Sequence, residues 1–273
     1  STPSVSVALC TFNGERHLEA QLRSLLAQDW PDLEIVIQDD ASTDGTVALV
    51  QRVAAGDPRV RLEVNPRNLG FLANFERALS RCRGDWIAPC DQDDVWHPDK
   101  LRRLAPLMAD HVLAYADSRL VDDQGRDLGR RLSQVYRMVD GDDCRVFTFW
   151  NSVSGHALLM RRELLAHCLP FPPGVKFHDW WIAFQAARTG RIAYLDEVLV
   201  DYRQHAASQT DTLQARRGER PSQRIYRERE AWLQAIAACP GPQQPLLAEL
   251  AARWSARRTR WWSPGLAWLV RRH

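Results

Sequence analysis

The sequence predicts an α/β protein with a mostly parallel central sheet flanked by helices and a helical C-terminal extension. Three observations carry this. Over residues 4–88, apolar runs of strand length alternate with segments whose apolar residues recur every three or four positions, the pattern of linked βαβ units. Three of the four strand ends carry polar clusters, at 11–13, 39–44 and 91–94, where ligands bind in such sheets. Beyond Ala206 the composition shifts to a polar stretch over 210–221, followed by helical spacing over 221–238 and 245–260. The chain therefore divides into an α/β domain over 1–208 and an extension over 209–273.

The elements follow in order. Residues 4–9 read as a buried strand, broken by turn formers at Cys10-Thr11-Phe12-Asn13-Gly14. In 15–28, Leu18, Leu22, Leu25 and Leu26 fall at helical spacing. Residues 33–37 form a second strand, ended by Gln38-Asp39-Asp40-Ala41-Ser42-Thr43-Asp44-Gly45. A helix over 46–54, a strand over 60–64 and a helix over 71–82 lead to a fourth strand, 86–88. Next comes a helix over 98–109, opening on Pro98, whose fixed φ suits a first turn. A strand over 111–120 follows. Residues 122–144 contain Gly125, Gly129 and Gly141 and read as a mobile loop of the kind that covers substrates. A strand over 157–160, a short helix over 162–167 and a rigid proline turn over 170–174 precede a helix that opens at Lys176-Phe177-His178-Asp179-Trp180-Trp181 and runs to Thr189. Two short strands, 192–195 and 198–202, close the domain.

Composition narrows the function classes. At 273 residues the chain can bury a large core, and 45% hydrophobic with 26% charged residues is ordinary for a globular protein. A net charge of +2 gives no reason to expect nucleic acid as a partner. The charge is unevenly spread: residues 251–273 hold six Arg and no acid, with Trp254, Trp261, Trp262 and Trp268 among them. Arg with Trp suits a membrane interface, and it suits equally a helix packed on the domain with Arg outward. No apolar run approaches the ~20 residues of a membrane span, and no secretory leader is legible. Six widely spaced Cys lack Cys-x-x-Cys spacing, which argues against zinc and a disulfide framework. A cytoplasmic protein, peripheral on the inner membrane face if the tail binds lipid, is the expectation.

The chemistry concentrates at Ala88-Pro89-Cys90-Asp91-Gln92-Asp93-Asp94-Val95-Trp96, three carboxylates within four residues at a strand end. Like charges this close raise one another's pKa, a cost that a divalent cation such as Mg²⁺ or Mn²⁺ removes. The competing reading is a solvated loop capping the next helix. Asp179 is likewise either a helix N-cap or a general base. His205, at a strand end, is structural or a metal ligand. Neither a Gly-x-Gly-x-x-Gly nor a Walker A sequence follows the first strand, so a Rossmann dinucleotide site and a P-loop are both excluded.

Thr11-Phe12-Asn13, Asp39-Asp40-Ala41-Ser42-Thr43-Asp44, Asn68-Leu69-Gly70, Asp91-Gln92-Asp93-Asp94 and His178-Asp179 occur in this order and at suitable spacing. Together they resemble a family 2 glycosyltransferase with the GT-A fold, over residues 4–208. Asp91-Gln92-Asp93-Asp94-Val95-Trp96 further resembles a bacterial rhamnosyltransferase-like subset that builds O-antigen or capsule. The resemblance implies inverting, metal-dependent transfer from a nucleoside diphosphate sugar, such as dTDP-rhamnose or a UDP-sugar, to a saccharide or lipid-linked acceptor. It implies a nucleotide-binding half over 1–95 and an acceptor half over 96–208. By it, Thr11, Phe12, Glu15, Asp40, Asn68, Asn74 and Asp91 hold the nucleotide, and Asp91, Asp93 and His205 the metal, Mg²⁺ or Mn²⁺. Asp179 is the catalytic base. Asp94, Trp96, Trp150, Gly155, His178 and Trp180 face acceptor or sugar. Two departures stand out: His178 where the family often has Glu, and Phe12 where Tyr is frequent. A sugar-phosphate nucleotidyltransferase is the alternative enzyme, although its Gly-rich loop is missing. A non-catalytic sugar-nucleotide-binding module is the other alternative, set against the intact Asp91, Asp93 and Asp179.

Overall fold

The computed structural model describes residues 2–204 and 223–257. The first half follows the expected alternation: β1 (Val5–Thr11), α1 (Glu15–Leu26), β2 (Leu33–Asp39), α2 (Thr46–Val53), β3 (Val60–Val64), α3 (Phe71–Arg81) and β4 (Trp86–Cys90). Then come β5 (Val95–Trp96), α4 (Lys100–Leu104), β6 (Leu113–Val121), β7 (Asp127–Arg131), β8 (Leu158–Arg161), α5 (Leu165–Cys168), α6 (His178–Thr189), β9 (Ile192–Arg203), α7 (Gln223–Ala237) and α8 (Gln244–Arg257). The nine strands among the described residues form one mixed sheet, ordered β3-β2-β1-β4-β8-β6-β9-β5, with β7 on β6. Strands β3, β2, β1 and β4 run parallel; β8 is antiparallel to both β4 and β6, while β9 lies parallel to β6.

Helices cover both faces because the strands are apolar on both. Val5, Val7 and Leu9 pack with Leu18, Leu22, Leu49 and Leu101 of α1, α2 and α4. Ala8 and Cys10, pointing the other way by the period-2 alternation of a strand, join Phe75, Ile182 and Trp232 of α3, α6 and α7. The described part of the extension is thus packed on the domain, with the Trp232 indole N–H donating to the Thr148 carbonyl at 3.0 Å. Trp254 lies 6.2 Å from Phe149 and 5.8 Å from Tyr226, ring to ring. Residues 205–222 and 258–273, with His205 and three of the tail tryptophans, lie outside the described residues.

Three expectations change, and one short strand is added. The helix expected over 98–109 is α only to Leu104; Pro106 cannot donate, and Ala105–Ala109 winds as a 3₁₀ turn. Residues 122–144 are not a bare loop. They hold β7 and a 3₁₀ turn, and the Tyr115 hydroxyl both donates to the Val139 carbonyl (2.9 Å) and accepts from the Val139 amide (2.7 Å). The two strands expected after 192 are one, β9, whose pairing with β6 jumps from Ala116–Leu195 to Asp117–Val198, so Asp196 and Glu197 form a bulge. The two-residue β5 pairs Val95 with Asp201 and Trp96 with Val200, which brings the end of β9 beside the acidic loop.

Candidate active site

The parallel strands β1, β2 and β4 end together, and their loops are tied by side chains. The Thr11 hydroxyl donates to Asp39 at 2.7 Å, and Ser42 gives Asp39 both its amide and its hydroxyl. The buried Asp40 carboxylate accepts from the Leu69 and Gly70 amides and the Asn65 side chain, at 2.8–2.9 Å, and so pins the Asn68-Leu69-Gly70 turn. Asn65 also donates to Asn74, which donates to the Gln38 carbonyl. Asp40→Ala would take that acceptor from the half-buried Leu69 and Gly70 amides, while Asn65 keeps Asn74, a loss of about 2 kcal/mol. Urea denaturation should show the midpoint falling accordingly.

The ties frame a cleft of about 600 Å³ lined by Thr11, Phe12, Asp40, Asn68, Asn74, Asp91 and Asp93, among others. Phe12, 43% exposed, forms an open aromatic wall. Its backbone is held by Gln92, whose side-chain amide accepts from the Phe12 N–H at 2.8 Å and donates to its carbonyl at 3.0 Å.

A second chamber of about 240 Å³ shares Phe71, Asp91 and Asp93 with the first and adds Gly155, His156, His178, Asp179, Trp180 and Tyr202. Asp179 sits in the first turn of α6, past its N-cap Phe177, so it is not the cap. It accepts from the Trp180 amide at 2.6 Å and the Gly155 amide at 3.3 Å. Burial pushes its carboxyl up to about 6, although those two donors favour the carboxylate.

The acidic loop is built to be compensated. Burial, with Asp93 and Asp179 nearby, pushes Asp91 up to about 8. Asp94 is fully buried and lies well above the carboxylate range, through burial and the charges of Asp93 and Asp91. Its Oδ1 accepts from the Arg203 amide at 3.0 Å, but Oδ2 has no hydrogen-bond partner. His156 Nδ1 lies 3.7 Å from that oxygen, while Nε2 meets the Ser118 hydroxyl at 2.9 Å. Burial, then Lys100 and His178, lowers His156 to about 3, which leaves a neutral ring whose Nδ1 can offer a lone pair. Ligand atoms of Asp91, Asp94 and His156 lie within 4.8 Å of one another. Two carboxylates and an imidazole around an orphaned oxygen fit a divalent cation such as Mg²⁺ or Mn²⁺.

The expected residues are thus sorted. Thr11, Phe12, Asp40, Asn68, Asn74, Asp91 and Asp93 meet in the first chamber, and Gly155, His178, Asp179 and Trp180 in the second. Glu15 lines neither; it accepts from the Gly45 amide at 2.9 Å and fastens the loop after β2. Trp96, expected toward the sugar, is 1% exposed, its ring beneath the Lys100 ammonium at 3.1 Å. Trp150 lines a separate 460 Å³ cavity with Arg137 and Leu250. Asp94 is under the site floor, and His205 lies outside the described residues. Sequence reasoning missed Gln92, His156 and Arg203. Arg203 clamps the acidic loop through the Asp93 carbonyl at 2.8 Å and also donates to the Asp122 and Asp123 carbonyls.

Comparisons with known proteins agree with the fold. The family model described as "Glycosyl transferase family 2" matches residues 6–169. The succinoglycan biosynthesis protein ExoO of Rhizobium meliloti is 39% identical over 102 residues, 37% of this chain and 29% of that one. Among solved structures, S. aureus TarS in complex with UDP-GlcNAc superposes with a TM-score of 0.68 at 19% identity, over 93% of this chain and 72% of that one. The mannosyltransferase PcManGT of Pyrobaculum calidifontis, solved with GDP-Man and Mn²⁺, gives 0.61 at 21% identity, over 99% and 79%. The two structural likenesses are of fold, the GT-A α/β fold.

Proposed function

The chain belongs to glycosyl transferase family 2, and from that premise we propose that it transfers a sugar, with inversion, from a nucleoside diphosphate sugar to a saccharide or lipid-linked acceptor in surface polysaccharide synthesis. The observation that carries this is the sharing of Asp91 and Asp93 by both chambers. One chamber has the size and strand-end position for a nucleotide, and the other adds a further carboxylate, Asp179, to the shared pair. In this reading residues 1–95 hold the donor and 96–208 the acceptor. Thr11, Phe12, Asp40, Asn68 and Asn74 surround base and ribose. A divalent cation held by Asp91 with Asp93, or with Asp94 and His156, supplies Lewis-acid stabilisation of the departing diphosphate. Asp179 takes the proton from the acceptor hydroxyl as its oxygen attacks the anomeric carbon. With Asp91 and Asp93 assigned to the cation, Asp179 is left to act as base rather than as nucleophile, so displacement happens once and the anomeric configuration inverts.

Support comes also from the relatives: ExoO is named for succinoglycan biosynthesis, TarS was solved with UDP-GlcNAc, and PcManGT with GDP-Man and Mn²⁺. The rhamnosyltransferase-like motif carries less, since Gln92 serves the Phe12 backbone and Trp96 the core. Rhamnose therefore enters as one donor among several. Among the described residues no helix is long and apolar enough to cross a membrane; a lipid-linked acceptor would be met through the basic tail, 253–272. The deciding experiment is a donor panel of dTDP-rhamnose, UDP-glucose, UDP-GlcNAc and GDP-mannose with Mn²⁺, read by thermal shift and by release of the nucleoside diphosphate. One donor should raise Tm by several degrees and release its diphosphate. Release of pyrophosphate from a nucleoside triphosphate would instead establish a nucleotidyltransferase, and binding of a donor without any turnover a non-catalytic module.

A further inference from the structure

His178 is the one described histidine left without a polar partner. His17, His97, His111, His156 and His167 each meet a carboxylate, carbonyl, hydroxyl or guanidinium. His178 is 3% exposed, yet neither ring nitrogen has a hydrogen bond. An imidazole always carries at least one N–H, so an unsatisfied donor stays buried here, a cost that proteins rarely keep without a use.

The ring is held in place. It stacks on Phe75 at 3.8 Å between centroids and 14° between planes, and Phe71 lies 5.4 Å away. Phe75 covers one face of the ring, and the two nitrogens on its edge are buried with it, their hydrogen-bonding capacity unused. A Cβ at position 155 would come within 2.6 Å of Nε2, so the seat exists only because residue 155 is glycine. The same Gly155 donates its amide to Asp179. Gly155, His178 and Asp179 are therefore one unit on the wall of the second chamber.

We propose that the His178 ring edge is a specificity-determining contact that exchanges a hydrogen bond with a sugar hydroxyl in the chamber of Asp179. This rests on the sugar-transfer reading and names the class of group recognised. Burial lowers His178 to about 3, so the ring is neutral when Asp179 is ionised. A neutral imidazole offers one donor and one acceptor, the complement of a hydroxyl. It offers a diphosphate no positive charge, which separates its role from that of the acidic loop. The hydroxyl belongs either to the donor sugar or to the acceptor beside its attacking oxygen.

The test is His178→Phe, which keeps the stacking on Phe75 and removes the polar edge, with His178→Leu as a second apolar variant and His178→Gln to restore a donor and an acceptor. The ligands are the panel donor that wild type turns over, its free nucleoside diphosphate, and its acceptor. We expect the affinity for intact donor, or the KM for acceptor, to worsen about tenfold in the Phe and Leu variants. Affinity for the free diphosphate should stay at the wild-type value, Tm should not fall, and Gln should recover part of the loss. Weakened donor binding assigns a donor hydroxyl; unchanged donor binding with a raised acceptor KM assigns an acceptor hydroxyl. Wild-type donor affinity, KM and kcat in the Phe variant would overturn the inference, as would an equal loss of affinity for the free diphosphate. Failure of wild type to turn over any donor would overturn the sugar-transfer reading, and this inference with it.

Discussion

Asp179→Asn is expected to slow sugar transfer by about 10²- to 10⁴-fold, the usual contribution of a positioned general base, while donor affinity stays at the wild-type value. The side chain is nearly isosteric and can still accept one of the two amide hydrogen bonds from Trp180 and Gly155, but it cannot take a proton at neutral pH. The pH dependence follows from the raised carboxyl. With Asp179 at about 6, wild-type transfer should fall tenfold per pH unit below that value and level off above it. The variant should lose this limb. Stability runs the opposite way. A carboxyl whose pKa is raised on folding contributes stability in its protonated form, fully present below the unfolded value of 3.8 and lost as pH rises through 6. At pH 8 the ionised Asp179 is therefore a cost, and Asn should leave Tm unchanged or higher. A variant that keeps more than about a third of wild-type turnover would place the base elsewhere, since even the low end of the expected range is far larger.

The sequence disclosed the parts of this site that backbone periodicity controls, and concealed those that side-chain direction controls. Strands buried on both faces read as apolar runs, and the helices between them as leucine spacing, so the first seven elements and the three polar strand ends were legible. Strand β5, two residues long, is too short to show a period, and β7 is largely exposed, with Gly129 and Arg within it. The bulge at Asp196 and Glu197 looked like the end of a strand because two charged residues interrupt its apolar pattern. Within the site, Gln92 read as a spacer between carboxylates, although its amide mimics a strand partner for Phe12. Trp96 follows the acidic loop where a sugar platform would be placed, but antiparallel pairing of β5 with β9 turns its ring inward under Lys100. Nothing in a linear pattern says which way a turn points a side chain. His156 gave no signal beyond being a histidine after glycine; only the fold sets it 3.7 Å from Asp94.

That last contact shapes the second large effect. Asp93→Ala is expected to abolish turnover without unfolding the chain, because it removes one of several carboxylates that repel in a confined space. Calorimetry of the nucleoside diphosphate should show affinity falling at least about tenfold when EDTA replaces Mn²⁺ in wild type, and showing no metal dependence in the variant. Equal affinity with Mn²⁺ and with EDTA in wild type would remove the cation from the mechanism. Two ligand sets compete for that cation. Asp91 with Asp93 faces both chambers, whereas Asp91 with Asp94 and His156 lies against the floor. They separate on Mn²⁺ binding measured without nucleotide. If His156 is a ligand, His156→Phe, which preserves the stacking on Tyr202 at 4.3 Å, should weaken Mn²⁺ by roughly 10- to 100-fold, as loss of a site residue commonly does. If the cation is held by Asp91 and Asp93 alone, the same variant should bind Mn²⁺ as wild type does, and the orphaned Asp94 oxygen then belongs to a carboxyl whose protonated form burial favours.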